Sequence, residues 1–304
     1  MKLGIALPTS SPYASAESIR RTAQEAERLG YSSLWTYERL LYPIDGVVVP
    51  DGSRQQLPEP YKSTYEPIET LAYVAASTQH IKLGTSIVNV PFQSPVLLAR
   101  RFATLDRLSN GRAIAGLGQG WMEQEFAASN ASIKERGKRI EEYIATLRAL
   151  WGPDPVSYDG SFYHIPASKV NPKPVQKGGI PILMGVGTHA AIRRAARLAD
   201  IINPIASTFE DLETTVTTFY STAKEAGRDP SLLKVIVRAN VPITATPLPE
   251  GKRPFLGGAP EQIAQDLTRV QQLNVDEVFF NDYASPTIEE AIQRMEALQT
   301  AARR

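Results

Sequence analysis

Four short runs carry the residues best suited to chemistry. Trp35-Thr36-Tyr37-Glu38-Arg39 sets the Glu38 carboxylate beside the Arg39 guanidinium. Such a pair is either a rim ion pair worth little or a charged element of a site. Gly116-Leu117-Gly118-Gln119-Gly120-Trp121 has three glycines at alternate positions. A backbone can pass there close to a ligand that any Cβ would repel, although the same spacing suits a tight turn. Met184-Gly185-Val186-Gly187-Thr188-His189 joins glycines to a hydroxyl at a helix start, where free N–H groups favour phosphate. His189 is either a further donor or a solvated first-turn residue. Gly84-Thr85-Ser86-Ile87-Val88-Asn89-Val90-Pro91 thins the side chains of a strand. A flat ring against the backbone and ordinary strand packing both fit that run.

The elements that must hold these runs alternate along the whole chain. Short apolar runs at 3–7, 31–36, 81–88, 112–117, 181–185, 200–203, 233–240 and 275–280 read as strands. They lack polar alternation, as expected when both faces are buried. Helical spacing follows at 16–29, 66–78, from Ser94-Pro95 onward, and at 134–151, 188–198, 209–226, 260–273 and 286–302. Gly30 and Gly227 act as stops. Ser94 provides a cap and Pro95 an N1 proline. Ile140, Ile144, Leu147 and Leu150 share one helix face. Asp159-Gly160 suggests a hairpin over 156–163. Eight strand-plus-helix units predict a closed (β/α)8 TIM barrel rather than a doubly wound open sheet, because closure leaves no edge strand. One domain over 1–304 is expected. Long loop insertions fall at about 38–65, 152–179 and 241–259. In such a barrel, the loops after the C-terminal strand ends build the active site.

Composition narrows the function. The chain has 304 residues, a formal charge of +1 and no cysteine. Disulfides, thiolate metal sites and cysteine nucleophiles are excluded, and no global field argues for nucleic acid or a membrane surface. Three scattered histidines, His80, His164 and His189, form no metal-binding pair. No metal is expected. Neither a secretory signal nor a spanning apolar run is evident, so a cytoplasmic location is the expectation.

Taken together, three runs resemble the luciferase-like monooxygenase superfamily, in its coenzyme F420-dependent branch: GTSIVNVPFQSP, SNGRAIAGLGQGWMEQEF and PILMGVGTHAAIRRAARLADII. The resemblance covers nearly the whole chain. It implies a cis Ser86–Ile87 bulge behind a bent deazaflavin, with Asn89 at the ring or its ribityl chain. It implies a phosphate near Gly118, Gln119 and Gly120 and near Gly185, Val186, Gly187 and Thr188. Glu125 and Arg136 fall where the superfamily has a loop carboxylate and a base, and a structural ion pair between them is expected. Many F420-dependent dehydrogenases carry an acid followed by histidine where this chain has Glu38-Arg39. A guanidinium cannot trade a proton near neutral pH as an imidazole can. Arg39 is therefore read as binding an anionic substrate group or a developing oxyanion, and Glu38 as positioning the ring or relaying a proton.

The resemblance implies hydride transfer between F420 and a small organic substrate, in a reductase rather than a histidine-dependent alcohol dehydrogenase. Trp121 and the aromatics of 42–65 would cover the substrate, or else pack a long loop. Arg39, Arg54, Lys62, Lys173 and Lys177 could meet the cofactor's polyglutamate tail, or be plain solvated surface. An FMN-dependent monooxygenase is the alternative. A flavin- or deazaflavin-binding homologue without catalysis is the second. A homodimer is expected from the family.

Overall fold

The computed structural model describes residues 1–48, 52–205 and 207–303. The first expected insertion includes 49–51, which lie outside the described residues. Eight parallel strands form the barrel: β1 Lys2–Ala6, β2 Ser33–Thr36, β3 Lys82–Thr85, β4 Ala113–Gly118, β5 Ile182–Val186, β6 Ile201–Pro204, β7 Lys234–Ala239 and β8 Glu277–Phe280. Each pairs with the next, and β8 pairs with β1, so the sheet closes. After a bulge, β3 resumes at Val88–Asn89 and rejoins β4 at Leu117 and Gly118. The eight-unit reading holds, and closure removes the edges that an open sheet would expose.

Helices α1 Ala16–Leu29, α2 Pro67–Ala75, α3 Pro95–Leu108, α4 Arg136–Trp151, α5 His189–Leu198, α6 Phe209–Glu225, α7 Pro260–Gln271 and α8 Ile288–Ala302 surround the strands. Their ends follow local chemistry. Ser15 and Thr188 cap α1 and α5 by accepting from Ser18 N and Ala191 N, while Gly30 ends α1 with φ of 83°. Ser94 sits at the α3 N-cap, but its hydroxyl makes no capping bond, so the Pro95 ring carries that start. Ile140, Ile144, Leu147 and Leu150 are all buried. The hairpin pairs Val156–Asp159 with His164–Ser168. Its loop is longer than an Asp-Gly turn because the Glu142 carboxylate of α4 accepts the N–H groups of Ser161, Phe162 and Tyr163.

Inside the barrel, Trp35, Ile114, Leu183, Ile201, Ile236 and Phe279 form their own apolar layer. Trp35 stacks on Phe279 at 4.8 Å, and its indole N–H donates to Ser33 Oγ at 2.6 Å. This layer is a packed floor below the C-terminal mouth. The missing Cβ of Gly84 makes room for the Trp35 ring. The thinned strand 3 thus serves strand packing at Gly84, not a ligand. Among the described residues, no helix is long and apolar enough to cross a membrane.

Candidate functional site

One cavity of about 400 Å³ opens at the C-terminal mouth. It collects every candidate residue: Glu38 and Arg39 after β2, Ser86, Ile87 and Asn89 at the β3 bulge, Gly118, Gln119, Gly120 and Trp121 after β4, and Gly185, Val186, Gly187 and Thr188 after β5. Loops from four strands converge as barrel closure requires.

The bulge is the centre of the arrangement. The Ser86–Ile87 peptide is cis, as the resemblance implies. Ser86 N donates to Thr36 O at 2.6 Å, and Glu38 N donates to Ile87 O at 3.1 Å. Ser86 Oγ donates to Asn203 Oδ1 at 2.6 Å, and Asn203 Nδ2 donates in turn to Ile236 O at 2.6 Å. The glycines of β4 answer to this bulge. A Cβ on Gly116 would overlap the Thr85 carbonyl oxygen, and one on Gly118 would overlap the end of Ile87. The reading of these glycines as room for a ligand is therefore corrected: at both positions the freed space holds the chain itself. Gly187 differs, since nothing lies within 4 Å of where its Cβ would stand. Thr188 Oγ1 accepts from Ala191 N at 3.2 Å, leaving the other first-turn N–H groups of α5 without an intrahelical partner. His189 is exposed on that turn.

Glu38 and Arg39 do not pair with each other. Glu38 is buried, and its carboxylate accepts from Asn89 N at 2.8 Å, Asn89 Nδ2 at 3.0 Å and Gln93 Nε2 at 3.0 Å. Burial raises its pKa above the ordinary carboxylate value, and the three hydrogen bonds offset part of the rise. Its visible work is to orient Asn89, whose carbonyl oxygen takes no protein donor among the described residues.

Arg39 ion-pairs with Glu125 at 3.0 Å, with side chains 11% and 1% exposed. Leu40 N also donates to that carboxylate at 2.8 Å. The expected Glu125–Arg136 pair is thus corrected. Glu125 sits in a short helix, Glu123–Ala128, which turns it toward the loop after β2, while Arg136 donates to Gly120 O at 3.2 Å. The Arg39 guanidinium lies 5.4 Å from the rings of both Tyr61 and Trp121.

Sequence reasoning missed Tyr37, Asn203, Ile205 and Arg238, which also line the cavity. Arg238 and Asn203 had a signal: each is a polar residue that follows an apolar run near the C-terminal end of its strand. Of the five bases offered for the polyglutamate tail, Arg39 lines the mouth cavity. Lys62 pairs with Glu59 at 2.5 Å and Lys173 with Asp154 at 2.8 Å. Lys177 lines a different cleft, with Lys2, Lys82 and Lys234 at the N-terminal ends of the strands.

Residues 1–248 match the luciferase-like monooxygenase family. The chain belongs to that family. An uncharacterised protein of Mycobacterium tuberculosis is 34% identical over 181 residues, covering 59% of this chain and 64% of that protein. The F420-dependent glucose-6-phosphate dehydrogenase of Amycolatopsis mediterranei is 29% identical over 184 residues, covering 59% of this chain and 50% of the enzyme. The matched stretch spans less than two thirds of either relative. Among solved structures, the monooxygenase RslO1 of Streptomyces bottropensis aligns with a TM-score of 0.80 at 21% identity, over 99% of this chain and 98% of that one. An F420-dependent secondary alcohol dehydrogenase, in complex with an F420–acetone adduct, aligns at 0.79 and 16%, over 100% and 99%. These likenesses show the fold.

Proposed function

We propose that this protein is an F420-dependent oxidoreductase that transfers a hydride between coenzyme F420 and a small organic substrate, working as a reductase. The observation that carries the reading is the cavity's lining: it holds the bulge, an open glycine at a helix start and three arginines, Arg39, Arg136 and Arg238, and none of the three histidines. An alcohol dehydrogenase using an imidazole base has no imidazole to use here. Arg39 cannot replace one, since its guanidinium stays protonated. A reductase needs donors toward the oxygen that gains charge. Tyr37 and Tyr61 line the same wall; the Tyr37 hydroxyl is held by Ser10, and burial raises its pKa, keeping its phenol protonated. The similarity to an F420-dependent relative favours the deazaflavin over FMN.

The residues fit the cofactor. The free first turn of α5 and the open face of Gly187 suit a phosphate, and Arg136 beside Gly120 adds a cation near that end. Ile87, held by Gly118 and facing Gly185, provides an apolar back for a flat ring. Bound F420 would supply the carbon that gives or takes the hydride. The protein orients the ring, keeps the Asn89 carbonyl aimed by Glu38, and sets Arg238 and the rings of Tyr37 and Tyr61 beside the substrate.

Parallel titration of the purified apoprotein with F420 and FMN, followed by fluorescence, tests this. Submicromolar binding of F420 with none of FMN is expected, and the reverse result would replace the reading with an FMN-dependent monooxygenase. Gly187→Leu should weaken F420 about tenfold or more, the scale of one lost charge-assisted hydrogen bond. Its melting temperature should not change, because the space is open. Unchanged affinity would show that the phosphate lies elsewhere.

A further inference from the structure

The two arginines at the substrate end of the cavity are not equivalent. Arg39 already has its counterion in Glu125. Arg238, near the end of β7, has none among the described residues. Its Nη1 donates to the Ser86 carbonyl at 2.6 Å and its Nε to Asn240 Oδ1 at 2.8 Å. Tyr283 takes a further hydrogen bond from it. A guanidinium has five N–H donors, so these partners leave at least two. All are neutral, and the charge is met only by the Tyr37 ring, 5.2 Å away. A half-buried cation with neutral partners is costly unless a bound group neutralises it.

The surroundings describe that group. Tyr37 meets Tyr61 edge to face at 5.6 Å, so the wall between Arg238 and Arg39 is aromatic. On the other side, Ile205 bridges to Arg238 in the parallel register and is 59% exposed, an apolar shelf beside the cation. An apolar body lies against such a shelf, and its anionic end reaches the guanidinium fork.

We propose that Arg238 anchors the substrate, and that the substrate is a small organic acid with an apolar body, held by its carboxylate. This rests on reading the cavity as the cofactor and substrate site. The anionic role that the sequence suggests for Arg39 moves to Arg238, because Glu125 neutralises Arg39 in the folded chain.

Benzoate and benzamide share size and shape and differ in charge, so they serve as probes. Calorimetric titration of each is made into the apoprotein and into the protein saturated with F420. Wild type should bind benzoate about tenfold or more tightly than benzamide, as a charge-assisted pair requires. Arg238→Gln should erase the preference, while Arg238→Lys, which keeps a donor for the Ser86 carbonyl, should keep part of it and hold F420 affinity within about twofold. Equal binding of the two probes, no benzoate binding up to its solubility limit, or a preference surviving in Arg238→Gln overturns the proposal. So does loss of F420 affinity in Arg238→Lys, which would give Arg238 to the cofactor. A protein that refuses F420 yet prefers benzoate through Arg238 leaves the anchor standing and removes the F420 reading instead.

Discussion

Arg39→Met tests whether this arginine belongs to the structure or to the substrate. In the folded chain its partner, Glu125, has a side chain only 1% exposed. Glu125 Oε2 has no hydrogen-bond partner, and Oε1 depends on Arg39, the Leu40 N–H and a longer bond from the Leu41 N–H at 3.4 Å. Removing the cation leaves a buried carboxylate with one strong donor. Breaking a buried pair from one side costs about 3–5 kcal/mol. For a chain of this length that is a fall of roughly 5–8 °C in melting temperature. The contacts of Arg39 with Tyr61 and Trp121 contribute on the order of 0.5–1 kcal/mol each, and they vanish equally in the double variant Arg39→Met/Glu125→Gln. The coupling energy from urea unfolding of wild type, both single variants and the double variant therefore isolates the ion pair. It should reach about 2 kcal/mol or more, with the double variant more stable than Arg39→Met alone. If Arg39→Met costs under about 1 kcal/mol and the effects simply add, the pair is solvent-screened. Arg39 would then be available to a substrate after all.

Two further outcomes follow from the bulge and its carboxylate. Gly116→Ala drives a Cβ into the Thr85 carbonyl, which is backbone and cannot step aside, so a loss of about 2–3 kcal/mol is expected, with impaired F420 binding. Gly118→Ala meets only the tip of Ile87 and should be milder. Ile87→Val, which removes that tip, should recover most of the lost stability in the pair. Thermal unfolding checks both, and a Gly118→Ala defect that Ile87→Val leaves untouched would refute the packing argument. For pH, burial holds Glu38 above its ordinary value. From about pH 4.3 up to that raised value, the folded chain keeps a proton that the unfolded chain has released. Stability should therefore fall as pH rises through this window. Urea unfolding between about pH 4 and pH 7 should show a flatter profile for Glu38→Gln than for wild type; parallel profiles would remove Glu38 as the cause.

The barrel was legible because its evidence is local. Each strand is short and mostly apolar, several helices carry their own stop or cap, and eight repeats of that unit close without further information. The insertions were legible as interruptions, although the short helix that carries Glu125 was not. The site was legible in location and less so in detail, for a physical reason. A glycine records that space is needed at a point but not what fills it. At Gly84 the occupant is Trp35, 49 positions earlier in the chain, and at Gly118 it is Ile87; at Gly187 the space stays open. Charge pairing is similarly nonlocal. Glu125 lies 86 positions from Arg39, and nothing in either neighbourhood distinguishes a neutralised arginine from one awaiting an anion. Arg238 offered a better signal than any glycine. A buried strand excludes charge unless something near its end uses it, and Val235-Ile236-Val237-Arg238-Ala239 breaks its apolar run at the position next to the mouth. In a closed barrel that combination needs no knowledge of distant partners, because the strand's direction alone puts the arginine where ligands arrive.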